Sequence, residues 1–250
     1  MPRLNPVALR VFSSLCLILA WQLAAWWWHS NLLPSPLAVF DLAWRETLEG
    51  ELPHHLGATL RRVVVAFLLA MTIGSVIGVV MGRWRQADLL FDPWLILFLN
   101  IPALVTIILC YVWFGLGEAA AILAITVNKI PNVVVTLREG ARTLDRDYLE
   151  MARSFRLGRR RTLTHVILPQ LLPFFAVAAR SGLALIWKIV LVVELLGRNN
   201  GVGFQIHLYF QLFDVTGILA YSLAFVLVML VVEYAVLQPM EGAANRWRRQ

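Results

Sequence analysis

"REGARTLDRDYLEMARSFRLGRRRTLTHVILP", Arg138 to Pro169, carries eight arginines against four carboxylates. Long apolar runs flank it on both sides, each about as long as bilayer hydrocarbon is thick, roughly 20 residues at about 1.5 Å each. Across all 250 residues 60% of side chains are apolar and mean hydropathy is +0.72, which excludes a water-soluble domain around one core. A net charge of +7 would suggest a nucleic-acid surface if the arginines lay on a soluble face. They lie between apolar blocks instead, where excess arginine reports the side facing the cytoplasm. No nucleic-acid partner is expected.

The expected fold is an all-α polytopic membrane protein with six transmembrane helices, at about 11–28, 63–82, 93–115, 118–137, 173–196 and 215–237. Arg3 and Arg10 precede the first span as they would a signal peptide. "WWWHSNLLPSP" follows, however, without a small-x-small cleavage site, and its three tryptophans suit an interfacial belt, so the span reads as a retained anchor. "NLLPSPLAVF" reads as an extended approach to an interfacial helix. The second span carries Gly74, Gly78 and Gly82, a smooth stripe for close helix packing within the chain. The third contains Pro102, which predicts a bend or break. Cys16 and Cys110 lie inside apolar blocks and suggest neither a disulfide framework nor a metal site.

Charge fixes the expected orientation. With the N-terminus inside, the cytoplasm receives Arg3, Arg10, Arg83, Arg85, the eight arginines of the charged segment, Arg246, Arg248 and Arg249; the other side keeps Arg45, Arg61, Arg62 and Arg198. The inverted arrangement violates the positive-inside bias. Both termini are therefore expected in the cytoplasm. The expected division is an anchor and approach segment over 1–62, a core over 63–240 containing the cytoplasmic segment 138–169, and a basic tail over 241–250.

Within the charged segment, Asp147 is placed to cap a helix whose Glu150 reaches back, a capping-box pattern. Gly158 is placed to supply the left-handed residue that ends it. A second helix follows from about Arg159, and Pro169 and Pro173 lead into the fifth span. Leu149, Ala152, Phe155 and Arg156 recur near the helical period, so one face is available to a partner. A loop that only touches anionic headgroups needs arginines, but it needs no cap, stop or second helix.

Glu150-x-Ala152, a turn, then "VILP" at Val166 to Pro169 resembles the EAA loop of ABC-importer permeases, whose pattern is Glu-Ala-Ala, three residues, Gly, nine residues, Ile, one residue, Leu-Pro. The likeness is strongest to permeases of aliphatic sulfonate, taurine and nitrate importers. It extends through "NLLPSPLAVF", "HLGATLRRVVVAF", "FDPWL", "WFGLGE", "YLEMARS", "ILPQLLP", "LLGRNNGVG" and "ANRWRR". The loop also departs from that pattern: Met151 stands where the first alanine is usual, and Arg156 where the glycine is. Asn100 and Ala103 stand where prolines are usual in the third span.

The resemblance implies a type I importer permease in the bacterial inner membrane. It would work as a homodimer with two cytoplasmic ATPases and an external solute-binding protein, alternating access for a small anion. The segment would then be a coupling helix for the ATPase, with Asp147, Leu149, Glu150, Ala152, Arg153, Phe155, Arg156, Gly158, Leu168 and Pro169 as its working residues. The loop Gly197, Asn199, Asn200, Gly201 and Gly203 resembles the region that meets the binding protein, although those residues are also ordinary turn formers. The residues themselves agree with this division of labour. A P-loop needs a lysine in a glycine-rich turn, and the two lysines, Lys129 and Lys188, do not follow glycines. No catalytic residue or cofactor is expected in this chain; ATP and Mg would sit on the partner.

Charges inside the spans mark candidate path residues, since a cation facing mid-bilayer costs about 2.5–3.5 kcal/mol. Lys129, beside Asn128, Pro131 and Asn132, sits where the helix is expected to open. Arg180, Trp187, Lys188 and Glu194 lie on the fifth span, and Pro102 at the break of the third. Lys129 and Lys188 are expected to favour an anionic solute; a structural pairing of a lysine with Glu194 or Glu118 is the alternative. Arg180, Trp187 and Glu194 are common in the resembling family and are read as architectural before they are read as path residues. Two other classes predict different features. A stand-alone carrier or channel would show internal repeats and acidic relays. A membrane enzyme would group its histidines, whereas His29, His54, His55, His165 and His207 are scattered.

Overall fold

The computed structural model describes residues 6–28 and 32–239, and every element among them is helical. In chain order the helices are α1 (Pro6–Trp28), α2 (Pro36–Glu49), α3 (Glu51–Arg83), α4 (Arg85–Asn100), α5 (Ala103–Phe114), α6 (Glu118–Arg142), α7 (Arg146–Ser154), α8 (Arg159–Thr162), α9 (Leu168–Gly197), α10 (Val202–Gln211) and α11 (Val215–Val232). A π-helical turn, Leu163–Ile167, joins α8 to α9, and a second, Glu233–Leu237, extends α11. Among the described residues four helical stretches are long and apolar enough to cross a membrane: Glu51–Arg83, Glu118–Arg142, Arg159–Gly197 and Val215–Ala235. The pair α4 and α5 makes a fifth if the two count as one bent span. The apolar part of α1, Phe12–Trp27, is shorter than the others. The tail 241–250 lies outside the described residues.

Pro102 does more than bend the third apolar run. The residue before a proline is driven from the helical region into the extended one, and Ile101 sits there at φ −70°, ψ 123°. The Asn100 amide turns back to the Ile96 carbonyl (2.7 Å), and the axes of α4 and α5 diverge by 97°. Pro131 has the opposite outcome. The expected opening around Asn128, Lys129 and Asn132 does not occur, and α6 runs through unbroken. On either side of the proline, side chains bond back to the helix: the Asn128 amide donates to the Ala124 carbonyl (2.9 Å) and the Thr136 hydroxyl to the Asn132 carbonyl (3.0 Å).

The glycine stripe of α3 packs inside the chain, against α6. A Cβ on Gly78 would lie 2.7 Å from the Val134 carbonyl oxygen and 2.9 Å from the Leu137 Cβ. One on Gly82 would lie 2.6 Å from the Ala141 Cβ. In hydrocarbon no hydrophobic drive separates helix–helix from helix–lipid contact, so backbone approach of this kind supplies the association. The core then continues through small residues, Ala66 on α3 with Ala120, Ala121 and Ala124 on α6, to Ile186 and Val190 on α9. Helix α3 passes position 62 without a break, so residues 51–62 are continuous with the core rather than with the anchor.

Ahead of it, α2 has conventional ends. Ser35 accepts the Ala38 N–H (3.2 Å), Pro36 opens the first turn and Gly50, at φ 89°, closes the last. Its Glu46 accepts hydrogen bonds from Tyr209 (3.1 Å) and Tyr221 (2.8 Å), fastening α2 to α10 and α11. Burial and the Glu46 carboxylate push the Tyr209 hydroxyl up to about 12.

Candidate functional site: a protruding helix and a buried charge hub

Helix α7 stands at one end of the bundle. Asp145, not Asp147, is its N-cap: the Asp145 carboxylate accepts the Asp147 N–H (2.8 Å), while its own N–H donates to Gln170 (2.9 Å). The expected capping box between Asp147 and Glu150 therefore does not form. The helix ends on a left-handed residue as expected, but that residue is Arg156, at φ 49°. The Leu157 N–H reaches back to the Ala152 carbonyl (2.8 Å), closing a Schellman turn around it. Gly158 is extended (φ −63°, ψ 156°) and caps α8 instead. The glycine of the EAA pattern thus falls where the backbone needs one, and this chain places an arginine there.

The face that α7 presents is also displaced from the expected one. Ala152 is buried and Leu149 half-buried, so these two seat the helix. Tyr148, Met151 and Phe155 point out, Phe155 with 76% of its surface exposed. Around this apolar stripe Glu150, Arg153, Arg156, Arg159, Arg160 and Arg161 are all exposed. Leu168 is exposed and Pro169 half-buried at the start of α9. Just inside, Asp88 and Asp92 on α4 hold Arg138 and Arg142 on α6. Arg138 pairs with Asp92 at 2.5 Å and Arg142 with Asp88 at 2.5 Å.

At the far end of α9 the buried residue Arg62 organises everything around it. Its Nε and Nη2 form a fork on Glu118 (3.0 and 2.8 Å), and Nη1 donates to Glu194 (2.6 Å) and to the Asn200 carbonyl (2.9 Å). Nη2 also reaches the Asn200 side chain. Glu194, with no exposed surface, accepts in addition from Thr59 (2.9 Å) and from the Gly203 N–H (2.9 Å). Arg61 and Arg198 pair with Glu118 from outside (both 3.0 Å). The Val202 N–H donates to Thr59 and the Gly201 N–H to His55 (both 2.9 Å). Neither Glu194 nor Glu118 is left for a lysine.

This changes the reading of the loop after α9. Gly201 and Gly203 are buried, Gly197 and Asn200 half-buried, and Asn199 is exposed. A Cβ on Gly201 would stand 2.3 Å from the Glu194 carboxyl carbon, so that glycine serves close packing. The path candidates divide in the same way. Glu194, Lys129 and Pro131 are buried in the bundle, Asn128 is half-buried and Pro102 is exposed at the break. Lys129 lies against Gly182 of α9, where a Cβ would come within 2.8 Å of its Cε. Its Nζ has no hydrogen-bond partner among the described residues. Arg180 and Lys188 share an exposed face of α9 with Trp187 half-buried beside them. No group of three or more His, Cys, Asp or Glu among the described residues could hold a metal ion.

Residues 70–237 match the protein family described as the binding-protein-dependent transport system inner membrane component. The chain belongs to this family. It is thus a multi-pass inner-membrane permease, a transport subunit. The permease is 32% identical over 190 residues, 75% of its length and 72% of the relative's, to the protein named as aliphatic sulfonates transport permease SsuC of Escherichia coli K12. It is 28% identical over 200 residues to the taurine transport system permease TauC of the same organism, covering 75% and 73% of the two chains. Its fold is that of a chain of the inward-facing MetNI methionine ABC transporter, with a TM-score of 0.70, 20% identity, and coverage of 80% of this chain and 99% of that one.

Sequence reasoning missed Arg62 in the permease, grouping it with the loop arginines. The available signal was the pairing of two acids, one opening α6 and one near the end of α9, with an Arg-Arg dipeptide near the start of α3, all at the same end of the bundle.

Proposed function

We propose that this permease is the membrane-embedded half of an ATP-driven ABC importer for a small anionic solute. It works as a homodimer with two cytoplasmic ATPases and an external solute-binding protein. Six spans, with α1 as the first and the α4–α5 pair as the third, put both termini in the cytoplasm. Anchor and approach occupy 1–50, the core 51–240 and the tail 241–250. ATP and Mg bind to the ATPases, and 138–169 is the segment they move.

The observation that carries this is α7. Its apolar stripe of Tyr148, Met151 and Phe155 is turned away from the bundle inside a rim of arginines, while buried Ala152 seats the other side. One helical stretch, Arg159–Gly197, runs from beside that stripe to the charge hub. A pull on α7 is therefore delivered to the opposite side of the membrane through a single rod. Orientation rests on the arginine excess of the α7 side. The solute class rests on the names of the sulfonate and taurine relatives, and on the exposed cations of α9.

The test is co-purification of the tagged chain with its cognate ATPase. Phe155 is exposed, so Phe155→Asp should leave the permease folded and abolish attachment. Full attachment and ATP-dependent import by a Tyr148→Asp/Phe155→Asp chain would show that α7 is not the contact.

A further inference from the structure

Lys188 lies in the interior of α9, exposed, in a helical stretch long and apolar enough to span the membrane. A cation there does not face lipid; it faces water or protein. Arg180 shares that face, and its guanidinium donates to Glu233 (3.2 Å) at the end of α11. Lys188 and Glu233 both line a groove of about 380 Å³ between α9 and α11. Because Arg180 already holds Glu233, the groove's own carboxylate has a cation, and among the described residues the Lys188 ammonium remains as its uncompensated charge. The rest of the groove is hydrocarbon and aromatic: Trp187 and Leu191 from α9, and Phe225, Met229 and Leu230 among the residues of α11.

We infer that this groove is a binding site on the transport path for a small organic anion: Lys188 takes the charged head, and Trp187 with the α11 wall takes an aliphatic body. Its size is that of a site for a small molecule, with a few polar groups fixing orientation and apolar walls supplying contact. Bare inorganic anions such as nitrate gain nothing from those walls, so the groove selects for a carbon skeleton as well as for charge. A larger cavity, about 610 Å³ beside α1, α2 and the start of α11, has the Asp214 carboxylate as its charged lining residue, and one of about 440 Å³ between α3, α4 and α6 has walls such as Phe91, Trp94 and Phe98 and no charged lining residue. Neither offers an anion a cation. Lys129 is a cation of the same kind, but it is buried against Gly182. Lys188 is the accessible one of the two.

The assignment rests on the proposed import of an anionic solute, and it is tested on the full chain in lipid nanodiscs. The probe is 1-butanesulfonate, followed by saturation-transfer NMR, which reads weak binding directly. Saturable binding is expected, weakened about tenfold by Lys188→Met, kept by Lys188→Arg and reduced by Trp187→Leu, with melting temperatures unchanged in both Lys188 variants. Nitrate at equal concentration should displace little of the probe, and n-butylammonium should not bind. The assignment is overturned by absence of saturable binding, by wild-type binding in Lys188→Met, or by equal displacement by nitrate. Binding of n-butylammonium in place of the sulfonate would overturn the anionic-solute reading along with it. The ATPase-attachment assay touches α7 and none of these residues. A chain that holds its ATPase yet ignores butanesulfonate therefore removes the groove alone, whereas loss of attachment in the wild-type chain removes the importer reading itself.

Discussion

Arg62→Met is the perturbation from which the structure predicts the largest effect. Methionine keeps most of the stem volume and removes the guanidinium, so the change is chiefly one of charge and hydrogen bonding. Glu194 then keeps the Thr59 hydroxyl and the Gly203 N–H but remains a carboxylate with no exposed surface and no cation. Glu118 retains Arg61 and Arg198, so its loss is smaller. Removing one partner of a buried pair costs about 3–5 kcal/mol, because the remaining charge stays desolvated. At about 2–4 °C per kcal/mol for a chain of this size, the melting temperature in detergent or nanodiscs should fall by roughly 6–20 °C. Two companion variants isolate the cause. Arg62→Met/Glu194→Gln removes both charges and should recover more than half of the loss, since replacing a whole buried pair is far cheaper than halving it. Arg61→Met breaks a pair to the same Glu118, but the Arg61 side chain is 64% exposed, so water screens it and the cost stays below about 1 kcal/mol. If Arg62→Met and Arg61→Met melt together, or if the double variant is no better than Arg62→Met alone, the hub is not a buried ionic clamp and the reasoning fails.

Three further outcomes are expected. Arg156→Gly relieves a left-handed non-glycine residue and should stabilise the α7 turn by about 1 kcal/mol, read as slower proteolysis between α7 and α8; faster cleavage would contradict the Schellman geometry. Gly78→Leu drives a side chain into the Val134 carbonyl and Leu137, and should cost at least about 1–3 kcal/mol through separation of α3 and α6; an unshifted melt would mean that this contact is not close. Tyr221→Phe removes the hydrogen bond to Glu46 (2.8 Å) and should cost about 1 kcal/mol. Glu46→Gln, which can still accept that bond, should cost less, and the reverse order would contradict the assignment.

What the sequence disclosed, and what it concealed, follows the range of the interactions. The α7 segment was legible because caps, stops and prolines act within a few residues, and its errors are of the same short range. Asp145 and Asp147 are both able to cap; the choice fell to Asp145 because Gln170, 25 residues on, holds its N–H. Reading Gly158 as the helix stop weighed residue type over position, whereas the turn is set by burial of Ala152, which fixes where the Leu157 N–H must close. The hub lay beyond local reading altogether, because Arg62 meets partners 56, 132 and 138 positions away. Membrane level would nonetheless have predicted the pairing. Antiparallel spans bring the start of α3, the start of α6 and the end of α9 to one depth, and a buried acid takes a cation from its own depth before one from mid-span. Both acids are satisfied in this way by the Arg61–Arg62 pair and Arg198. The mid-span lysines are therefore left without carboxylates, which is why the charge of the path depends on which of them, Lys129 or Lys188, the packing leaves accessible.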